Sequence, residues 1–182
     1  MLGRACLQWR PRPQAFQARP CHICRPAPKR DWRSPAGRRQ APARALAIGP
    51  NFPLAQALGN GRLAIANPAS VPAGKYGKAA LEALGVWTSV EGRLAPAPDV
   101  RAALELVCRR EAPLGIVYQT DAVADQDAEI VGTFPAASHP PIIYPLAVTA
   151  ASTNPTAKSY IAFLQSPEVK AAFGLPGFAL LR

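Results

Sequence analysis

The sequence predicts an α/β sandwich with a largely parallel sheet. From about Arg44 onward, short apolar runs alternate with helical stretches of roughly 8–13 residues, the pattern of strands joined by crossover helices. The apolar runs read as short buried strands. Apolar residues make up 49% of the 182-residue chain and charged residues only 18%, enough to fill a packed core.

Each element follows from local pattern. Arg62-Leu-Ala-Ile-Ala66 is an apolar run ended by Asn67-Pro68, and predicts a strand. Pro72 to Leu84 places Ala79, Ala80, Ala83 and Leu84 at helical spacing, with Gly85 as the stop. Leu94 to Pro96 predicts a short strand. Asp99 then caps an amphipathic helix, Val100 to Cys108. Leu114 to Tyr118 predicts a buried strand, and Gln119-Thr-Asp121 starts a short helix. Glu129 to Phe134 predicts a strand, and so does Ile142 to Thr149. Pro145 confines the latter to an edge or crossing role. Asn154-Pro155 suggests an N-cap followed by proline at the first helical position, with the helix running to Leu164. Ser166-Pro167-Glu168 starts the last helix.

The first 44 residues differ in kind. They hold eleven of the 21 Lys+Arg and one of the 11 acids, Asp31, so the whole net charge of +10 falls there. They also hold seven of the 21 prolines. Their few aliphatic residues (Leu2, Leu7, Ile23) show no period, so the segment is expected to remain a disordered arm. It lacks the apolar core of a secretory signal, and no run is long enough to span a bilayer. Arginine is not interleaved with aromatic residues on a recognisable motif, which argues against nucleic acid as a partner.

Four cysteines are present: Cys6, Cys21, Cys24 and Cys108. Cys21-His22-Ile23-Cys24 has the spacing of half a zinc knuckle. A structural zinc site needs four N/S ligands, usually two such pairs, and the second is missing. No direct cation ligand is therefore assigned. Cys108 reads as a small apolar residue of its helix.

Four stretches in order carry a resemblance: Asn60-Gly-Arg-Leu-Ala-Ile-Ala-Asn-Pro68, Val71-Pro-Ala-Gly-Lys-Tyr76, Leu94-Ala-Pro-Ala-Pro-Asp-Val-Arg-Ala-Ala-Leu104 and Glu111-Ala-Pro-Leu-Gly-Ile-Val-Tyr118. Phe134-Pro, Ser138-His139, Tyr144-Pro145 and Gly177-Phe178 continue in register. Over residues 45–182 the chain resembles the molybdate-binding proteins, the periplasmic substrate-binding components of molybdate ABC transporters. The resemblance implies a fold like the type II periplasmic binding proteins, with an oxyanion between two lobes. Residues 45–143 would form most of the second lobe. Residues 144–182 would supply the hinge-crossing strand and the C-terminal helices of a partial first lobe. Residues 1–44 would be unrelated to the family, whose signal peptide, first lobe and first second-lobe strand have no counterpart here. A truncated gene or a wrong start would explain that.

The resemblance also implies the ligand contacts: the backbone N–H groups of Ala73 and Val100 and the hydroxyl of Tyr118. Molybdate is a tetrahedral dianion. Helix N-termini offer it unpaired N–H groups and the positive end of a dipole, and a phenol adds one directed donor. Taken alone, Ala73 and Val100 are ordinary helix-start residues and Tyr118 a core residue. Asp99 reads as a cap, Lys75 and Arg101 as surface charges beside the two helix starts. The family's two first-lobe serines have no match, and Ser34 is not one of them. No nucleophile–base pair or paired carboxylates are visible, so the chain is read as a non-enzymatic binding protein without a cofactor. The expected function is binding molybdate, and tungstate, for delivery to the membrane permease of an ABC importer, as a periplasmic monomer. A one-lobe fragment that binds weakly or not at all, and a ligand-sensing domain of the same fold, remain alternatives.

Overall fold

The computed structural model describes residues 14–18, 21–27, 45–174 and 178–181. Two strands come first, β1 (Gln14–Ala18) and β2 (Cys21–Pro26). A short helix α1 (Leu54–Ala57) precedes β3 (Leu63–Ala66), α2 (Pro72–Ala83), β4 (Leu94–Ala97) and α3 (Val100–Cys108). Then follow β5 (Leu114–Tyr118), α4 (Gln119–Ala124), β6 (Ala128–Thr133) and β7 (Ile143–Leu146). The chain closes with α5 (Ala157–Leu164), α6 (Pro167–Gly174) and β8 (Phe178–Leu181).

The larger sheet has five strands in the order β4-β3-β5-β2-β6. β3 runs parallel to both β4 and β5, whereas β2 is antiparallel to its neighbours β5 and β6. Four strands thus share one direction and the fifth opposes them from inside the sheet. Helices cover both faces. On one, α2 packs through Ala80 and Leu81 with Leu63, Ile65, Ile116, Phe52 and Phe134. On the other, α3 packs through Ala103, Leu104 and Val107 onto Ala64, Ala97 and Val117. β5 is buried at all five positions, which explains its unbroken apolar sequence. The nine residues of α3 are too few to hold a helix alone. Burying Leu104 and Val107, at roughly 1.5–3 kcal/mol each, holds it in place.

The smaller sheet has three antiparallel strands in the order β7-β1-β8. The chain passes between the two sheets from β1 to β2, and again from β6 to β7. Pro145 lies opposite Ala15 on the edge strand β7, where its missing N–H leaves no gap in a ladder.

Three expectations need correction. The basic stretch before residue 45 is not uniformly without structure. Cys21, Ile23 and Cys24 are fully buried in β2, His22 is nearly so, and the side chain of Arg25 pairs with Glu129 at 2.9 Å. A strand covered on both faces need not alternate, so the absence of a period was no argument against it. The remainder of residues 1–44 lies outside the described residues, as does the Gly177 of the tail motif. Second, the helix expected from Asn154-Pro155 starts at Ala157. The Asn154 side chain instead accepts from the N–H and hydroxyl of Thr156, closing an Asx turn ahead of the helix. Third, the strand expected over Ile142 to Thr149 is limited to Ile143–Leu146.

Candidate functional site

The site is built on the carboxyl ends of three neighbouring parallel strands. β3, β4 and β5 lie side by side, with Ala66 opposite Ala97 and Ile65 opposite Ile116. The N–H of Asn67 extends the ladder to the carbonyl of Ala97 at 2.9 Å. Each strand feeds its helix from the same edge, so the N-termini of α2 and α3 and the residue Tyr118 all lie at that edge of the sheet. This is where ligands collect in open α/β sheets.

Ala73 is the second residue of α2, after the N-cap Val71 and Pro72. No side chain caps this helix. The N–H groups of Ala73 and Gly74 lie in the first turn, where a helix supplies no partner of its own. Gly74 brings that turn hard against the strand end: a Cβ there would sit 2.0 Å from the carbonyl oxygen of Ala66. Only glycine permits the approach. At the other end, Gly85 ends the helix with φ +72°, the left-handed conformation of a C-terminal stop.

Val100 opens α3. The Asp99 carboxylate accepts from the N–H of Ala102 at 2.8 Å, so it acts as a cap and is spent on the third residue. The N–H of Val100 is not reached by that cap. Lys75 is exposed, and Arg101 extends into solvent with its side chain 85% exposed, 3.7 Å from Asp121.

Tyr118 is the last residue of β5 and only 8% exposed. Its ionisation is pushed far above the usual tyrosine range, first by burial, then by Tyr144, Cys21 and Tyr76 nearby and by a hydrogen bond to Tyr144. It is therefore a neutral donor at any physiological pH. Tyr76, one turn into α2, packs against the ring of His139, centroids 6.1 Å apart. Tyr144 and Tyr76 were legible only as members of family motifs. Their influence on the ionisation of Tyr118 is tertiary and had no local signal.

Other candidate chemistry is dispersed. The Ser138 hydroxyl donates to the carbonyl of Pro135, and His139 Nδ1 bonds the carbonyl of Pro140, so the adjacent pair does not form a nucleophile and base. Cys21 shares a core cluster with Ile23, and Cys24 belongs to the cluster on the opposite face of the sheet. Their thiols point apart rather than towards one ion. Burial pushes both up to about 12. His22 Nδ1 lies 2.9 Å from the Thr133 hydroxyl. Among the described residues no group of three or more His, Cys, Asp or Glu side chains could hold a metal ion. No helix among them is long and apolar enough to cross a membrane.

An α/β core with two helix N-termini and a buried phenol at the carboxyl edge of its sheet has the layout in which open α/β proteins bind ligands. The chain belongs to the bacterial extracellular solute-binding protein family, whose pattern matches residues 34–179. It is 48% identical over 123 residues to the molybdate-binding protein ModA of Escherichia coli (strain K12). That match covers 68% of this chain and 48% of the relative, so the chain spans about half the length of the curated protein. The ModA of Haemophilus influenzae is 42% identical with the same coverage, in keeping with the resemblance read from the motifs. Among solved structures, the substrate-binding domain of a putative molybdenum ABC transporter from Clostridium difficile superposes with a TM-score of 0.67 at 24% identity, covering 91% of this chain and 65% of that one. The periplasmic molybdate-binding protein of Azotobacter vinelandii gives 0.62 at 20%, covering 94% and 70%. At these identities the superpositions establish the fold, that of type II-like periplasmic binding proteins.

Proposed function

We propose that this chain binds molybdate, and tungstate, as the non-enzymatic substrate-binding part of an ABC importer on the periplasmic side, acting as a monomer without nucleic acid. The reading is supported by the strand order, which puts two helix N-termini and a buried neutral phenol at the same edge of one sheet. The contacts assigned are the N–H groups of Ala73 and Val100 and the hydroxyl of Tyr118. Dipoles and neutral donors hold a dianion without the mobile counter-charge that would favour any anion of like charge. The 48% identity to a molybdate-binding protein supports the choice of oxyanion.

The domain division expected from the sequence belongs to the same proposal, with one addition from the structure: a second lobe over residues 45–143 joined by β2 (Cys21–Pro26) as an inner strand of its sheet, and a hinge strand with first-lobe helices over 144–182. On that reading this chain supplies one wall of the cleft. Two serine contacts that the family resemblance implies have no counterpart in it. Each hydrogen bond to a charged group is worth roughly 1.5–3 kcal/mol. Two missing bonds correspond to about a hundredfold to ten-thousandfold in affinity. Calorimetric titration of the purified chain with molybdate, tungstate and sulfate tests the reading. Weak binding of the first two, weakened further by Tyr118→Phe, is expected. Equal affinity for sulfate, or molybdate binding indifferent to Tyr118→Phe, would reject it.

A further inference from the structure

The two sheets differ in how well they are covered. Every position of β5, in the larger sheet, is buried. From residue 143 to residue 174, a stretch that spans β7, α5 and α6, only Val169 is buried. Four of the five large apolar side chains exposed among the described residues lie there: Ile143 and Tyr144 on β7, Tyr160 and Phe163 on α5. Single apolar residues scattered over a surface need no explanation, but their concentration in one part of a fold does. Six of the eight residues of α5 are apolar, and none is buried. A helix this short does not hold itself in water and depends on packing of an apolar face. Tyr160 and Phe163, three apart and so on one face, are 59% and 56% exposed. β7 is an edge strand. Ile143 and Tyr144 are neighbours on it and face opposite sides of the sheet, and both are exposed. The small sheet is therefore open on each side at that edge.

The size of the relatives points to what covers this surface. The 123 matched residues are only 48% of Escherichia coli ModA, and the two superposed structures are covered over 65% and 70% of their chains. These proteins thus carry further chain beside the part they share with this one. The larger sheet has its faces covered by helices. Its β6 edge is lined by the segment before α1, with the N–H of Leu46 on the carbonyl of Val131 at 2.7 Å and Ile48 against Gly132. The open surface is that of β7 and α5.

We propose that β7 and α5 form a docking surface that takes up, as a separate polypeptide, the complementary part of the solute-binding fold, namely the half of the relatives that this chain does not span. Tyr160 and Phe163 are its anchors. One copy of the chain takes one copy of this partner, and the partner completes the oxyanion site. Completion of the site rests on the molybdate reading above; the docking does not.

The test co-expresses the full chain, affinity-tagged, with the part of Escherichia coli ModA that lies outside the match. A one-to-one complex should copurify and persist in sedimentation velocity. Combining Tyr160→Ser with Phe163→Ser should weaken it by about tenfold or more, because a few large anchors carry most of the energy of an interface. Both side chains are exposed, so the same variant alone should keep the wild-type urea midpoint. A fall in that midpoint would make the two residues part of the chain's own core and overturn the proposal. A second readout needs no variant: amide hydrogen exchange over residues 157–164 should be fast in the chain alone and slow in the complex. Absence of a complex, unchanged exchange over α5, or self-association of the chain through this face in place of the complex would each overturn the docking. Molybdate titration separates the two claims. The complex should bind molybdate about tenfold or more tighter than the chain alone. A stable complex that binds no molybdate would overturn the reading of the site and leave the docking standing. Weak molybdate binding by the chain alone, with no complex formed, would do the reverse.

Discussion

Replacing Gly74 by alanine is the sharpest probe of how the helix α2 donor is placed. The new Cβ would lie 2.0 Å from the carbonyl oxygen of Ala66 and 2.7 Å from the carbonyl carbon and oxygen of Asn67. All three are backbone atoms at the end of β3, so none can rotate aside. Real Cβ atoms essentially never come within 3.0 Å of such neighbours, so α2 must retreat by about 1 Å. Overpacking of this kind costs about 1–3 kcal/mol of stability. The same retreat lengthens a hydrogen bond from the Ala73 N–H to about 3.9 Å, beyond the useful range. Losing a bond to a dianion is worth roughly 1.5–3 kcal/mol, or about ten- to 150-fold in affinity. Gly77, one turn later, is the control. A Cβ there meets only the ends of Ile116 and Ile65 side chains at 3.1 Å, which can give by a few tenths of an ångström. Gly74→Ala should therefore lower both the unfolding midpoint in urea and the calorimetric affinity for molybdate, while Gly77→Ala leaves the affinity within about threefold. A folded Gly74→Ala variant that binds like wild type would refute the assignment of this helix start to the site.

Three further outcomes are expected. Asp99→Ala should lower stability by about 1 kcal/mol in urea unfolding, because the cap on Ala102 is lost. Asp121 is held above the ordinary carboxylate range chiefly by burial, against the pull of Arg101, with Asp99 adding to the rise. Its ionised form therefore costs stability at neutral pH, and that cost is relieved as pH falls through the raised value, until the unfolded chain protonates as well. Asp121→Asn should raise the thermal midpoint at pH 7–8 and flatten its rise on acidification; an unchanged profile would count against the burial argument. Ile23→Ala should destabilise the chain by about 2–5 kcal/mol, since Ile23 is fully buried in β2. No change in the urea midpoint would return residues 21–26 to the disordered arm expected from composition.

Most of the core layout was legible because it is local. The helix Val100–Cys108 and the strand Leu114–Tyr118 have the boundaries their patterns give, and the Asp99 cap is where the sequence places it. Pairings distant in sequence left no such trace. Arg93 donates to the carbonyls of Ala55, Gly59 and Gly61 across some 30 positions, tying the loop before β3 to the strand entry of β4. Nothing in Glu-Gly-Arg announces that. The donors at the sheet edge were named by resemblance. The physical reason they can meet, three parallel strands ending side by side, needed the strand order.

β2 shows why composition failed where it did. Averaged over 44 residues, arginine and proline dominate, and the average offers no hydrophobic gain to oppose the entropy of ordering. A sheet does not select on the average. It needs about six residues, and Cys-His-Ile-Cys supplies four that bury with little polar surface left unpaired: the thiols fill small core gaps and His22 finds Thr133. Neighbouring charge is then no obstacle, because β2 emerges from the core at half-buried Arg25, whose charge meets Glu129 directly opposite on the adjacent strand. The position of this strand ties it to the site. Cys21 lies directly opposite Tyr118 in the β2–β5 ladder, so the first residue of β2 braces the last residue of β5. A change that loosens β2 is expected to loosen Tyr118 as well, through this ladder rather than through the charge of the basic segment.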